Sequence, residues 1–218
     1  MSTLTRYLVA FAALATAFAI YSSAVALGVM YTVDHQVAAF MYDLWNGAAL
    51  IPMEALAVLG GVEITSAVII GLAVYIWRSG FRVEIWALLA FPAAVLLELA
   101  YKHIVLHPGP SSHFFRGEGP SIIDLLLPPQ ASENSFPSGH MTRTVLVYGL
   151  MAFVVNRLSD RRWVRWTVTV AATVVIMAMA FNRLYLGVHW ESDVIGGFLL
   201  GSVGFLAATI WLERPGRL

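Results

Sequence analysis

Residues 182–212 read Asn-Arg-Leu-Tyr-Leu-Gly-Val-His-Trp-Glu-Ser-Asp-Val-Ile-Gly-Gly-Phe-Leu-Leu-Gly-Ser-Val-Gly-Phe-Leu-Ala-Ala-Thr-Ile-Trp-Leu. Arg183, His189, Glu191 and Asp193 crowd the first part, and no charge follows from Val194 to Leu212. A run of about 20 apolar residues is what a helix needs to cross a bilayer core. A knot of ionisable groups therefore abuts a membrane span. Working outward, five more apolar stretches of that kind appear, at 7–31, 51–77, 83–106, 140–155 and 164–181, with the last at 193–212. The composition agrees. Of 218 residues, 59% are hydrophobic and 12% charged, the latter about half the share usual in soluble domains. That excludes a disordered chain and leaves too little polar surface for a water-soluble globule. Thirteen basic and 13 acidic residues balance, so no nucleic-acid partner is expected. The chain has no cysteine, which removes disulfides, thiolate metal sites and cysteine nucleophiles.

The expected fold is all-α: a polytopic membrane protein with six transmembrane helices and an interfacial helix. Residues 1–218 form a single membrane-embedded domain, with the core motifs within 98–193. The first stretch is too long for a signal h-region of 7–15 residues and reads as an uncleaved span. Arg6, Arg78, Arg82, Arg157, Arg161, Arg162, Arg165, Arg214 and Arg217 fall on one side of a six-span arrangement. That side is predicted to be cytoplasmic, with both termini on it. Lys102, Arg116, Arg143 and Arg183 fall on the other.

Two outer segments look more than connective. Residues 33–46 place Val37, Phe40, Met41 and Leu44 at helical spacing, with Asp34, His35, Gln36 and Asp43 elsewhere on the helix. Either a frame for a lipid entrance or a plain interfacial anchor fits this pattern. Residues 107–137 are long for a loop and rich in Pro, Ser and Gly. Their apolar stretch from Ile122 to Leu127, before Pro128 and Pro129, is expected to dip into the bilayer surface.

Three segments meet at the outer ends of the spans: Lys102 to Pro110, Phe136-Pro-Ser-Gly-His-Met-Thr-Arg143, and Asn182 to Asp193. Charged groups at membrane depth are costly and are functional candidates by default. Lys102, Arg143 and Arg183 are three cations around His140 and His189. Ser138-Gly139-His140 opens a helix, where free backbone amides and the helix dipole favour an anion. His189 and Asp193 stand four apart and share a helical face. The carboxylate then fixes one imidazole nitrogen and leaves the other as a nucleophile. His140 remains to protonate a leaving group. Anion cradle, oriented nucleophile and general acid together describe phosphoryl transfer.

Pro137-Ser138-Gly139-His140, followed by Arg183, five residues, His189, three residues and Asp193, resembles the type 2 phosphatidic acid phosphatase superfamily. That group includes lipid phosphate phosphatases, undecaprenyl pyrophosphate phosphatases and, more distantly, vanadium haloperoxidases, whose soluble setting disfavours them here. The resemblance implies that Lys102, Arg183, Ser138 and the Gly139 backbone bind phosphate oxygens. It implies that His189 attacks phosphorus to form a phosphohistidine, Asp193 orients it, and His140 protonates the leaving oxygen. It implies no metal and no cofactor. Two positions depart from the pattern. Asn182 stands where serine is usual. In the first motif, Lys is normally followed by six residues and Arg-Pro, and here Gly109 precedes Pro110. Arg143 is the candidate to replace that missing cation, against snorkelling to the interface or pairing with Glu133 or Asp124.

The expected function is hydrolysis of a lipid phosphate or pyrophosphate on the extracytoplasmic face of the cell membrane. Isoprenyl pyrophosphate is the leading substrate, ahead of phosphatidic acid and phosphatidylglycerol phosphate. A lipid phosphotransferase using the same intermediate and a non-catalytic lipid-phosphate binder are the alternatives. Glu98 is expected to pair with Lys102 one helical turn away. Glu63 reads as a packing residue, and Arg116 as a solvated loop charge rather than a head-group guide.

Overall fold

The computed structural model describes residues 2–120 and 134–214. Those residues fold as helices with one isolated bridge, between Pro108 and Asn134. The helices are α1 (Thr3–Ala26), α2 (Tyr31–Asp43), α3 (Leu50–Ala57), α4 (Val62–Arg78), α5 (Ala90–Ile104), α6 (Gly139–Leu158), α7 (Arg162–Tyr185) and α8 (Glu191–Leu212). A 3₁₀ segment, Val83–Leu89, runs directly into α5. The apolar stretch at 122–127 lies outside the described residues.

Among the described residues, four segments are long and apolar enough to cross a membrane: Thr3–Ala26, Val83–Ile104, Arg162–Tyr185 and Glu191–Leu212. The second expected span is not one straight helix. It is broken between Gly47–Gly60 and Val62–Arg78, with a bend of 44°. The break falls at Gly60-Gly61, where Gly61 adopts an extended conformation. A broken helix at membrane depth frees carbonyls that lipid cannot satisfy. Here side chains of α6 take them: Tyr148 donates its hydroxyl to Leu59 O at 2.9 Å, and Arg143 donates Nε to Gly60 O at 3.1 Å.

α6, the expected fourth span, is not among the strongly apolar segments. Its neighbours explain this. It packs on α4, α5, α7 and α8, and Thr142, Thr144 and Tyr148 are buried along with Leu146, Val147 and Leu150. A helix covered by protein on most sides has no need of a lipid-like surface. Gly197 and Gly201 of α8 let it approach α6 closely, since a Cβ at either would press on Ser138 O or Thr142 O. Small residues serve this purpose in membrane bundles generally.

The first expected stretch divides. α1 ends at Ala26, Gly28 turns the chain at φ 72°, and Tyr31 already belongs to α2. α2 forms where expected but faces differently. Asp34 is its buried residue, while Phe40 and Leu44 stay exposed. Satisfied hydrogen bonds hold the acid inward, as described below.

Candidate functional site

The three motif segments are sewn together by backbone contacts. Ser138 N donates to Asp193 O at 2.9 Å, joining the start of α6 to that of α8. Trp190 Nε1 donates to Pro108 O at 2.7 Å, joining the first segment to the third. Ser135 N donates to His107 O at 2.9 Å, and Asn134 Nδ2 to Lys102 O at 3.0 Å. The predicted residues consequently share one site: His140 lies within electrostatic reach of Arg183, Arg143, His189 and Lys102.

His189 sits in the turn between α7 and α8. Its Nδ1 lies 3.2 Å from Asp193 Oδ2, which also accepts from the Trp190 amide at 2.9 Å. Asp193 is fully buried. The pair fixes a hydrogen on Nδ1 and leaves Nε2 with a lone pair. Burial pushes the His189 imidazole below its ordinary pKa, Asp193 pulls it back up, and Lys102 and Arg183 lower it further. The neutral, nucleophilic form is thereby favoured.

The candidate anion cradle comprises the start of α6 and flanking cations. Ser138 caps α6, is fully buried, and its Oγ has no hydrogen-bond partner among the described residues. Thr142 N is bonded to Ser138 O, so the amides of Gly139, His140 and Met141 precede the intrahelical ladder. Gly139 is required here because a Cβ would collide with the Glu98 carboxylate. Arg183, 1% exposed, is clamped by two bonds from Nε and Nη2 to Asn182 Oδ1, at 3.0 and 2.6 Å. Asn182 is itself anchored to Met53 O at 2.7 Å. The unusual Asn182 thus has a visible use, which is to hold the guanidinium.

Glu98 accepts Lys102 Nζ at 3.2 Å, as its helical spacing predicted, and also Arg143 Nη1 at 3.1 Å. The alternative pairing of Arg143 with Glu133 or Asp124 falls outside the described residues. One carboxylate between two cations leaves a net positive charge facing the histidines. Arg143 Nη2 has no hydrogen-bond partner among the described residues. Among the described residues, a Cβ at Gly109 would meet only the Ser135 side chain, with Cβ at an ordinary 3.5 Å and Oγ at 4.0 Å.

Three features were not visible in the sequence. Asp34, from α2, accepts Ser192 N and Ser192 Oγ, both at 2.8 Å. His107 lies 3.6 Å from Asp193 Oδ1. The guanidinium of Arg116, which is half-buried, stacks on Tyr42 at 4.1 Å, beside a narrow pocket that His189 also lines. A helical repeat of Asp34 with Val37, Ala38 and Met41 is the one signal that pointed inward.

Comparison with known proteins places this arrangement. An undecaprenyl-diphosphatase of Sulfolobus acidocaldarius is 29% identical over 141 residues, covering 64% of this chain and 61% of that protein. Phosphatidylglycerophosphatase B of Bacillus subtilis is 40% identical over 87 residues, 39% of this chain and 43% of that one. The crystal structure of a transmembrane PAP2-type phosphatidylglycerolphosphate phosphatase from Bacillus subtilis superposes with a TM-score of 0.79 at 22% identity. That match covers 95% of this chain and 98% of the other, and shows a shared multi-pass membrane fold. Residues 83–217, which hold all three motif segments, match the PAP2 superfamily, and the chain belongs to that family.

Proposed function

We propose that the protein is an integral membrane phosphatase that hydrolyses a lipid phosphate or diphosphate through a phosphohistidine. The carrying observation is the His189–Asp193 pair set against a cradle of Ser138, Gly139, Lys102, Arg143 and Arg183. His189 Nε2 attacks phosphorus, the N–P bond forms, and the bond to the lipid oxygen breaks. His140 gives its proton to that oxygen. Water then attacks the phosphohistidine, His140 takes the proton, and inorganic phosphate leaves. The cations and amides bear the charge of the equatorial oxygens.

The orientation follows from charge. One membrane-embedded domain crosses six times, with the broken α3–α4 pair and the buried α6 counted as spans. Both termini are cytoplasmic, and the site opens on the other side. An isoprenyl diphosphate is the first substrate to test, with phosphatidylglycerol phosphate and phosphatidic acid beside it. The names of the relatives support that panel. Phosphate release from each lipid by purified protein in detergent tests the reading. A binder without catalysis releases none, and a phosphotransferase needs an added acceptor lipid.

A further inference from the structure

The two oxygens of Asp193 keep different company. Oδ2 is engaged by His189 and Trp190. Oδ1 is buried and makes no hydrogen bond among the described residues. Its ion-pair contact there is His107 Nε2 at 3.6 Å. The same Nε2 lies 3.2 Å from Ser192 Oγ and 3.8 Å from Asp34 Oδ2. Ser192 gives its single hydroxyl hydrogen to Asp34 at 2.8 Å. Toward His107 the serine oxygen is therefore an acceptor, and Nε2 carries the hydrogen.

An imidazole N–H is thus aimed among three oxygens, two of them from carboxylates. The Asp34 and Asp193 side chains are 1% and 0% exposed, and that of His107 15%. Two buried carboxylates are costly unless a positive charge accompanies them. Other ionisable groups around the two acids and His189 are Tyr21 on α1, His35 on α2, Lys102 on α5, His140 on α6, Arg183 on α7 and Glu191 on α8. Unlike these groups, His107 is within ion-pair distance of both acids among the described residues. Burial pushes the Asp34 carboxyl up, while the Ser192 bonds and the charge of His107 pull it down. A cavity of about 290 Å³, lined by Asp34, His107 and Trp190, gives the imidazole access to protons.

We propose that His107 acts as an imidazolium shared by Asp34 and Asp193, a positioning residue that sets the pH at which His189 becomes free to attack. This rests on the reading of His189 as nucleophile. The sign follows from local charge. Within the Asp34–His107–Asp193 cluster, two carboxylates and one imidazolium leave a single negative charge, set against the cations Lys102 and Arg183 that also act on His189. Removing His107 leaves two, which favours protonated His189 and moves the acidic limb of activity to higher pH. Removing the Asp34 charge moves it to lower pH. A charge at this range shifts a neighbour by about one unit.

The test is the pH profile of kcat/KM for the full-length protein in detergent, with short-chain phosphatidic acid as substrate. His107→Asn should raise the acidic limb by about one pH unit, and Asp34→Asn/His107→Asn should return it toward the parent. A limb unmoved in His107→Asn, or equally raised in the double variant, overturns the proposal. Where His107→Asn does not fold, Asp34→Asn alone decides: a lowered limb supports it, and an unmoved or raised one overturns it. His189→Ala runs in the same assay. Phosphate release by that variant would sink the reading of the site itself, whereas an inactive His189→Ala with unmoved limbs removes the role of His107 alone.

Discussion

At the scale of residues, Gly109 and Arg143 pose the sharpest question. The family's usual arginine is absent, and a phosphoryl group in transfer needs its oxygens neutralised. Arg143 is already oriented by Glu98 and Gly60 O, with Nη2 left over. Lysine lacks the planar fork, so Arg143→Lys and Arg143→Ala should each lose at least about tenfold in kcat/KM, or ~1.4 kcal/mol. Gly109→Arg has room for its first side-chain carbon and should recover part of the loss in Arg143→Ala. Near-normal turnover in Arg143→Ala would show that the cradle manages without it. The histidines carry opposite demands. In the proposed mechanism His189 must be neutral, and burial holds its pKa below the ordinary imidazole value, so activity should fall only as pH drops through that lowered value. His140 must hold a proton, so activity falls again on the alkaline side and the profile is bell-shaped. His140→Ala should spare more activity on a substrate with a good leaving group. Equal losses on good and poor leaving groups would remove it as the acid.

At the scale of elements, the break in the second span does more than bend a helix. Gly60 lies against α6 and α7 so closely that a Cβ would sit 2.9 Å from Thr144 Oγ1 and Met179 Cε. Gly60→Ala should cost about 1–3 kcal/mol by overpacking, read as a lowered Tm in detergent, and should weaken catalysis by disturbing Arg143. Unchanged Tm and turnover would show that the contact is soft. Tyr148→Phe strands Leu59 O and should cost about 1–2 kcal/mol. The apolar runs and the three motifs were legible because each is contiguous or helically periodic. The break was half-legible, since Gly60-Gly61 stood in the sequence but not its partners on α6. The bond from Asp34 to Ser192 joins positions 158 apart, and no local pattern reports such a contact. The stacking of the loop residue Arg116 on Tyr42 was hidden for the same reason, because Tyr42 belongs to α2, far away in sequence.

At the scale of the whole molecule, the asymmetry of basic residues sets the proposed orientation. With no native cysteine, single cysteines read topology cleanly. A cysteine at Ser112 should react with an impermeant external reagent, and one at Ser159 should not. The reverse pattern would invert the arrangement. The proposed transfer through His189 uses cationic side chains and backbone amides, rather than a metal ion, to bear the phosphoryl charge. Activity should therefore survive EDTA and be inhibited by vanadate, and loss in EDTA restored by one divalent metal would refute the mechanism. The central claim is that His189 carries the phosphoryl group, and the most direct measurement is trapping it. Purified protein given radiolabelled lipid phosphate and quenched in alkali should show an acid-labile phosphoenzyme that is absent in His189→Ala. Phosphate release by His189→Ala at the parental rate, or a phosphoenzyme that persists without His189, would contradict the account.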